Sequence, residues 1–218
     1  MGLIELGRIG ALLFGVAAVC GDLNAAVHCS AVGGLAVPAT TEGLYVNVVS
    51  GASGFTEGSV PGFDVDIYAS ASSVPGDQLK FYWGSAANGG AGVVSAGDSY
   101  AVLSSGQVIG PDSLFSRAAF TGDTTVWQAG ITGYLGMRFL NESAGIVNYG
   151  WMLLTTTAPL GFPATIGGWC YESSGAAITI SVPLLSWLWS PPCPSSTSSA
   201  HSAAPSARSC STLANLTP

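Results

Sequence analysis

The stretch GYLGMRFLNESAGIVNYGWMLL, residues 133–154, decides how this chain is read. Apolar residues recur at every second position from Leu135 to Phe139 and again from Tyr149 to Leu153, the period of β-strands. Ser143-Ala144-Gly145 between them reads as a three-residue loop, its glycine where a bulged hairpin turn needs a left-handed residue. That loop sets Leu135 against Leu153, Met137 against Trp151 and Phe139 against Tyr149, an all-apolar face. A four-residue loop would set Phe139 against Asn148 and spoil the face. On the other face Arg138 then lies across from Gly150, with room for its stem along the sheet. WCYESSGAAITI, residues 169–180, repeats the arrangement and pairs Glu172 with Ala176 and Cys170 with Ile178. Glu142 and Glu172 each end a strand before a loop whose third residue is glycine, and both read as solvated turn corners.

Working outward, GLYVNVVSG (43–51), FDVDIYA (63–69) and LKFYWGSA (79–86) are further strands, with VPGD (74–77) as a turn. Shorter strands follow near VVSA (93–96), YAVL (100–103) and QVIG (107–110), and TTVWQAG (124–130) continues the pattern. No segment sustains apolar spacing at three and four residues, and 30 glycines punctuate the chain. The expected fold is all-β: an antiparallel, jelly-roll-like β-sandwich over residues 43–183, with few or no helices outside a signal peptide.

The 218 residues suit one domain, and 48% hydrophobic residues suffice for a core. A formal charge of −7, with Lys80 the single lysine, argues against nucleic acid and anionic membranes as partners. Arg8 followed by the apolar run Ile9–Cys20, with Ala25 and Ala26 after it, reads as a secretory signal peptide over 1–26. That run is too short to span a bilayer. Residues 27–42 read as a leader loop, and 184–218, rich in Ser, Ala and Pro, as a disordered tail. The mature chain is therefore expected to be exported and to carry no transmembrane segment.

Cys20 leaves with the signal, so Cys29, Cys170, Cys193 and Cys210 remain, and four cysteines allow three pairings. A Cys29–Cys170 bridge is a candidate that would close a very long loop. Zinc is the rival reading, but no CxxC or nearby histidine pair supports it.

Few constellations carry chemistry. The two histidines, His28 and His201, lie near the signal junction and in the tail, so neither is placed to serve a catalytic triad. Glu142 and Glu172 are the one pair that a glycoside hydrolase could use, if the fold brings them across a cleft. Asp64 and Asp66 share one face of a strand, as a partial calcium site or as exposed edge-strand acids. Tyr82 and Trp83, with Trp127 and Trp169, are candidates for an aromatic sugar-binding platform, against the alternative that they are core. Asn141-Glu142-Ser143 and Asn215-Leu216-Thr217 match the glycosylation sequon, the first at an accessible hairpin tip.

Taken together, Tyr134–Phe139, Asn148–Trp151 and Trp169–Ile178 resemble a group of exported Gram-negative β-rich proteins that end in a PEP-CTERM or IPTL-CTERM sorting tail. The resemblance covers about two thirds of the chain, and its motifs are structural. It implies a secreted domain at the cell surface or in the matrix, and it brings no catalytic residues. Val182-Pro183-Leu184-Leu185-Ser186-Trp187 is similar to the start of an IPTL tail, after which the chain departs from the pattern. A change of reading frame after about residue 185, or a flexible stalk, would account for the departure. The function expected is a non-enzymatic structural, matrix or adhesion role, with surface polysaccharide or other matrix components as partners. A lectin-like carbohydrate-binding module is the alternative, and a glycoside hydrolase a remote one.

Overall fold

The computed structural model describes residues 25–70, 78–84, 89–115 and 122–181. The expectations for the signal peptide before residue 25 and for the tail lie outside the described residues.

Eleven strands follow in chain order: β1 (Val27–Val37), β2 (Leu44–Val46), β3 (Ser53–Gly54), β4 (Val65–Ser70), β5 (Gln78–Tyr82), β6 (Ala91–Gly92), β7 (Val108–Ile109), β8 (Thr132–Asn141), β9 (Ile146–Thr155), β10 (Ala164–Glu172) and β11 (Ile178–Thr179). Helical structure is one 3₁₀ turn, Glu57–Ser59, and one short helix, α1 (Thr125–Gln128). α1 falls where the sequence suggested more strand. The fold is the all-β sandwich expected: a five-stranded sheet ordered β1-β10-β9-β8-β6 and a four-stranded sheet ordered β3-β2-β4-β5. A two-stranded ribbon, β11-β7, is separate from both. Every pairing between these strands is antiparallel.

Alternation explains the layers. Leu44 and Val46, Val65 and Ile67, and Leu79 and Phe81 point inward from the four-stranded sheet. They meet Leu135, Met137, Phe139, Met152, Leu154, Ile166 and Trp169 of the five-stranded sheet in one buried cluster. Trp169 also ties the layers by a polar bond, its Nε1 donating to the Val48 carbonyl at 3.0 Å. A second apolar cluster, with Val93, Ile109, Trp151, Cys170, Ile178 and Ile180, lies on the other face of the five-stranded sheet. The β11-β7 ribbon supplies part of that cover, so the sheet is apolar on both sides.

This double burial corrects the hairpin register. β8 and β9 pair Leu135 with Met152, Met137 with Gly150, Phe139 with Asn148 and Asn141 with Ile146, so the loop has four residues, 142–145. With apolar partners on both faces, the hydrophobic pattern no longer selects one register, and turn chemistry decides. Asn141 makes that decision: its carbonyl accepts from Gly145 N–H at 2.7 Å, and its Oδ1 accepts from Ser143 Oγ at 2.6 Å. Its Nδ2 donates to Asn148 Oδ1 at 2.9 Å, so the asparagine that seemed to spoil the face is bonded inside it. Gly145 has φ +67°, the left-handed geometry expected of it. Asn141 is buried, which corrects the view of its sequon as an accessible tip. Arg138 faces Tyr149 rather than Gly150, and its guanidinium lies 4.8 Å over the Phe115 ring.

Two further readings are corrected. WCYESSGAAITI is not a hairpin: β11 leaves β10 and pairs with β7, Ile178 against Ile109. Residues 27–37 are not a leader loop but an edge strand, paired with β10 from Val27↔Glu172 to Val37↔Ala164. Gly33 and Gly34 both have positive φ, and a register shift there interrupts the alternation, which hides the strand from a pattern search. Cys29 and Cys170 are directly opposite in that pairing and form a disulfide, with Cα atoms 4.1 Å apart and sulfurs at 2.01 Å. Among the described residues, no helix is long and apolar enough to cross a membrane.

Candidate functional site

The sequence-derived aromatic candidates separate cleanly. Trp83 and Trp127 are both 0% exposed and belong to the main core. Their indole N–H groups are satisfied inside it: Trp83 donates to Tyr100 Oη at 3.2 Å, and Trp127 to the Tyr100 carbonyl at 3.1 Å. Neither offers a face to a ligand. Tyr82, next to Trp83 in the chain, points to the opposite side and reaches the outer surface of the four-stranded sheet.

The register of that sheet builds a site around it. Asp66 of β4 lies opposite Tyr82 of β5 and opposite Tyr45 of β2. Directly opposed residues share a face, and Tyr68 joins them two positions along β4. Thr41, Tyr45, Asp66, Tyr68 and Tyr82 line one shallow cleft of about 260 Å³. Phe63 fixes two of the rings, edge-on to Tyr45 with centroids 4.8 Å apart and tilted against Tyr82 at 5.7 Å.

At the cleft Asp66 is only 2% exposed, and its Oδ1 has no hydrogen-bond partner. Burial, reinforced by the charge of Glu42, pushes its carboxyl up to about 8, against a hydrogen bond from the Leu44 main chain. The same acids act on Tyr45, whose hydroxyl is pushed up to about 12 by burial and then by Asp66, Glu42 and Glu57. Tyr68 is raised in the same direction by burial and Asp66. Gly43 closes one side with φ +58°; a side-chain carbon there would come 2.6 Å from Asp66 Oδ1.

Asp64 does not share this cleft. It is fully buried, and its Oδ2 accepts from the Val48 N–H at 2.7 Å. Burial raises its carboxyl to about 8 as well, the Val48 bond opposing and Glu142 adding to the rise. The two aspartates are therefore not the exposed edge acids weighed from the sequence, and only Asp66 lines the cleft. Among the described residues, no group of three or more His, Cys, Asp and Glu is placed to hold a metal ion.

Glu142 and Glu172 occupy different settings. Glu142 is exposed, packs over Gly62, and lines two shallow clefts with Pro61 and Gly62, of about 420 and 370 Å³. Glu172 is 4% exposed rather than solvated. Its carboxylate accepts from the main-chain N–H groups of Ser174 (2.9 and 3.0 Å) and Ala176 (2.7 Å), organising the turn after β10. Neither glutamate lines the tyrosine cleft.

Tyr45 and Tyr68 went unnoticed in the sequence. The period of two along Asp64-Val65-Asp66-Ile67-Tyr68 already puts Tyr68 on the aspartate face. Tyr45 needed the β2–β4 pairing, which no local pattern reports. No protein-family model matches the chain, and no curated protein or solved structure matches it either.

Proposed function

We propose that this chain is an exported, non-enzymatic protein of the cell surface or extracellular matrix, with a structural or adhesive role. The observation that carries the proposal is the Cys29–Cys170 disulfide, which cross-links the edge strand to its neighbour. Structural disulfides persist in oxidising compartments outside the cytosol, and a bond joining residues 141 apart constrains the whole domain. The double-sided burial of the five-stranded sheet suits a durable module better than a mobile catalytic one. Glu172 is committed to its turn, which leaves the glycoside hydrolase reading without a specific observation in its favour.

A second reading, carbohydrate binding, is favoured by the tyrosine cleft: aromatic walls and one buried carboxyl are the usual elements of a sugar subsite. The two readings are compatible, since a matrix protein that grips polysaccharide is an adhesive one. The test is fractionation of the native host with an antibody to this chain. The proposal expects it in the surface or matrix fraction, and expects loss of the gene to weaken the matrix. Confinement to the cytoplasm with Cys29 and Cys170 reduced would overturn it.

A further inference from the structure

We infer that the tyrosine cleft is one end of a longer groove, which passes over the 57–63 loop to Glu142 and holds several consecutive units of an uncharged polysaccharide. The inference rests on the carbohydrate reading and deepens it, from a single sugar subsite to a polymer chain.

Shared walls make the groove continuous. Tyr45 and Tyr82 wall the tyrosine cleft and both pack on Phe63, which in turn walls the cleft of about 420 Å³ that reaches Glu142. That second cleft shares Pro61, Gly62 and Glu142 with the third, of about 370 Å³. β5 sets the direction at the first joint. Burial alternates from Gln78 to Gly84, so Lys80, Tyr82 and Gly84 share the outer face at intervals of about 7 Å along the strand. Gly84 lets the Phe63 ring settle between the first two clefts: a side-chain carbon there would come within 2.5 Å of the ring. Three successive clefts, each no larger than a small-ligand site, offer room for a chain of rings.

The walls suit sugars. Tyr68 and Tyr82 are half-buried, and each joins an apolar ring to a polar tip, which matches the apolar face and hydroxyl rim of a pyranose. At the far end Ser50 and Ser143 bring hydroxyl groups to the third cleft.

The distribution of charge selects a neutral ligand. Lys80 stands opposite Tyr68 at one end, while Glu57 and Glu142, both exposed, line the second cleft. A groove basic at one end and acidic further on matches neither a polyanion nor a polycation along its length. Hydroxyl groups both donate and accept, so a single uncharged chain can satisfy the ammonium and the two carboxylates together.

The test is titration calorimetry of the full mature chain with gluco-, manno- and galacto-oligosaccharides of two and of six units, and with a hexamer of galacturonic acid as the charged comparator. At least one neutral hexamer is expected to bind about tenfold tighter than its dimer or more, beyond the roughly fivefold that extra registers on a two-unit site would supply. Glu142→Ala changes an exposed residue outside the tyrosine cleft; it should erase most of that gain and leave the dimer unaffected. Tyr82→Leu should weaken both lengths, with an unchanged circular dichroism spectrum to verify its fold; Tyr68→Leu serves if Tyr82→Leu does not fold. A gain with length below tenfold, or a hexamer indifferent to Glu142→Ala, would overturn the groove and leave the single-subsite carbohydrate reading standing. Equal or tighter binding of the galacturonic hexamer would overturn the uncharged ligand. Binding of no oligosaccharide would overturn the groove and the carbohydrate reading together.

Discussion

Two carboxyls that stay protonated inside a fold make its stability depend on pH in the direction opposite to most acids. Asp64 and Asp66 are raised by burial from the ordinary 3.8 to about 8. In the unfolded chain both release their protons near pH 4, while the folded chain keeps them until about pH 8. The folded state therefore binds more protons throughout that window, and stability must fall as pH rises through it. Their contribution is complete below the unfolded value and is lost by the time pH passes the folded one. The slope is about 1.4 kcal/mol per pH unit for each retained proton, so the pair removes about 5 kcal/mol between pH 5 and pH 7. Against a typical total of about 5–15 kcal/mol, that loss is large. Asp123, held low by its Thr125 hydrogen bonds, acts only in acid and leaves this window untouched. The assay is urea denaturation of the wild type and of Asp64→Asn at half-unit steps from pH 5 to 8. The wild type should lose stability steadily with rising pH, and Asp64→Asn, with one titrating group fewer, should show about half the slope. A flat or rising wild-type curve, or a slope unchanged by Asp64→Asn, would refute the reasoning.

Other perturbations follow from single contacts. Cys29→Ala with Cys170→Ala reopens a loop of 141 residues and should cost about 2–5 kcal/mol, read as a fall in the denaturation midpoint that reducing agent reproduces in the wild type. Gly43→Ala forces a side chain into a positive-φ position against the Ile67 carbonyl and Asp66 Oδ1; it should cost more than about 1 kcal/mol by thermal melting and abolish binding at the tyrosine cleft. Trp169→Phe leaves the buried Val48 carbonyl without its indole donor and opens space between the sheets, for a loss of about 2–3 kcal/mol in urea, with no change at the cleft.

How much of this was legible varies from element to element, for physical reasons. The all-β class was legible because a period of two needs only local residues, and β4, β5, β8 and β9 all display it. The β8–β9 register was not. Its choice depends on a second apolar cluster that arrives from residues 93–109 and 178–180, and on Asn141 bonding to its own loop. β1 was missed because an edge strand with seven exposed residues and two positive-φ glycines carries little hydrophobic signal; its identity lies in its pairing with β10. Of the site, Tyr82 and Asp66 were named from the sequence for different purposes, one as a sugar contact and one as a calcium ligand. Only the β4–β5 register shows that they face each other. Trp83 and Trp127 look as eligible as Tyr82 in a list of aromatics, and what separates them is which side of a strand, or which side of α1, each occupies.

The most direct measurement is a disulfide map of the protein recovered from the outside of its native host, by mass spectrometry before and after reduction. The account predicts a chain cleaved near Ala26 in which a peptide containing Cys29 is joined to one containing Cys170 and separates on reduction. Free Cys29 and Cys170 in a chain found only inside the cell would contradict both the export and the fold-spanning cross-link on which the proposed role depends.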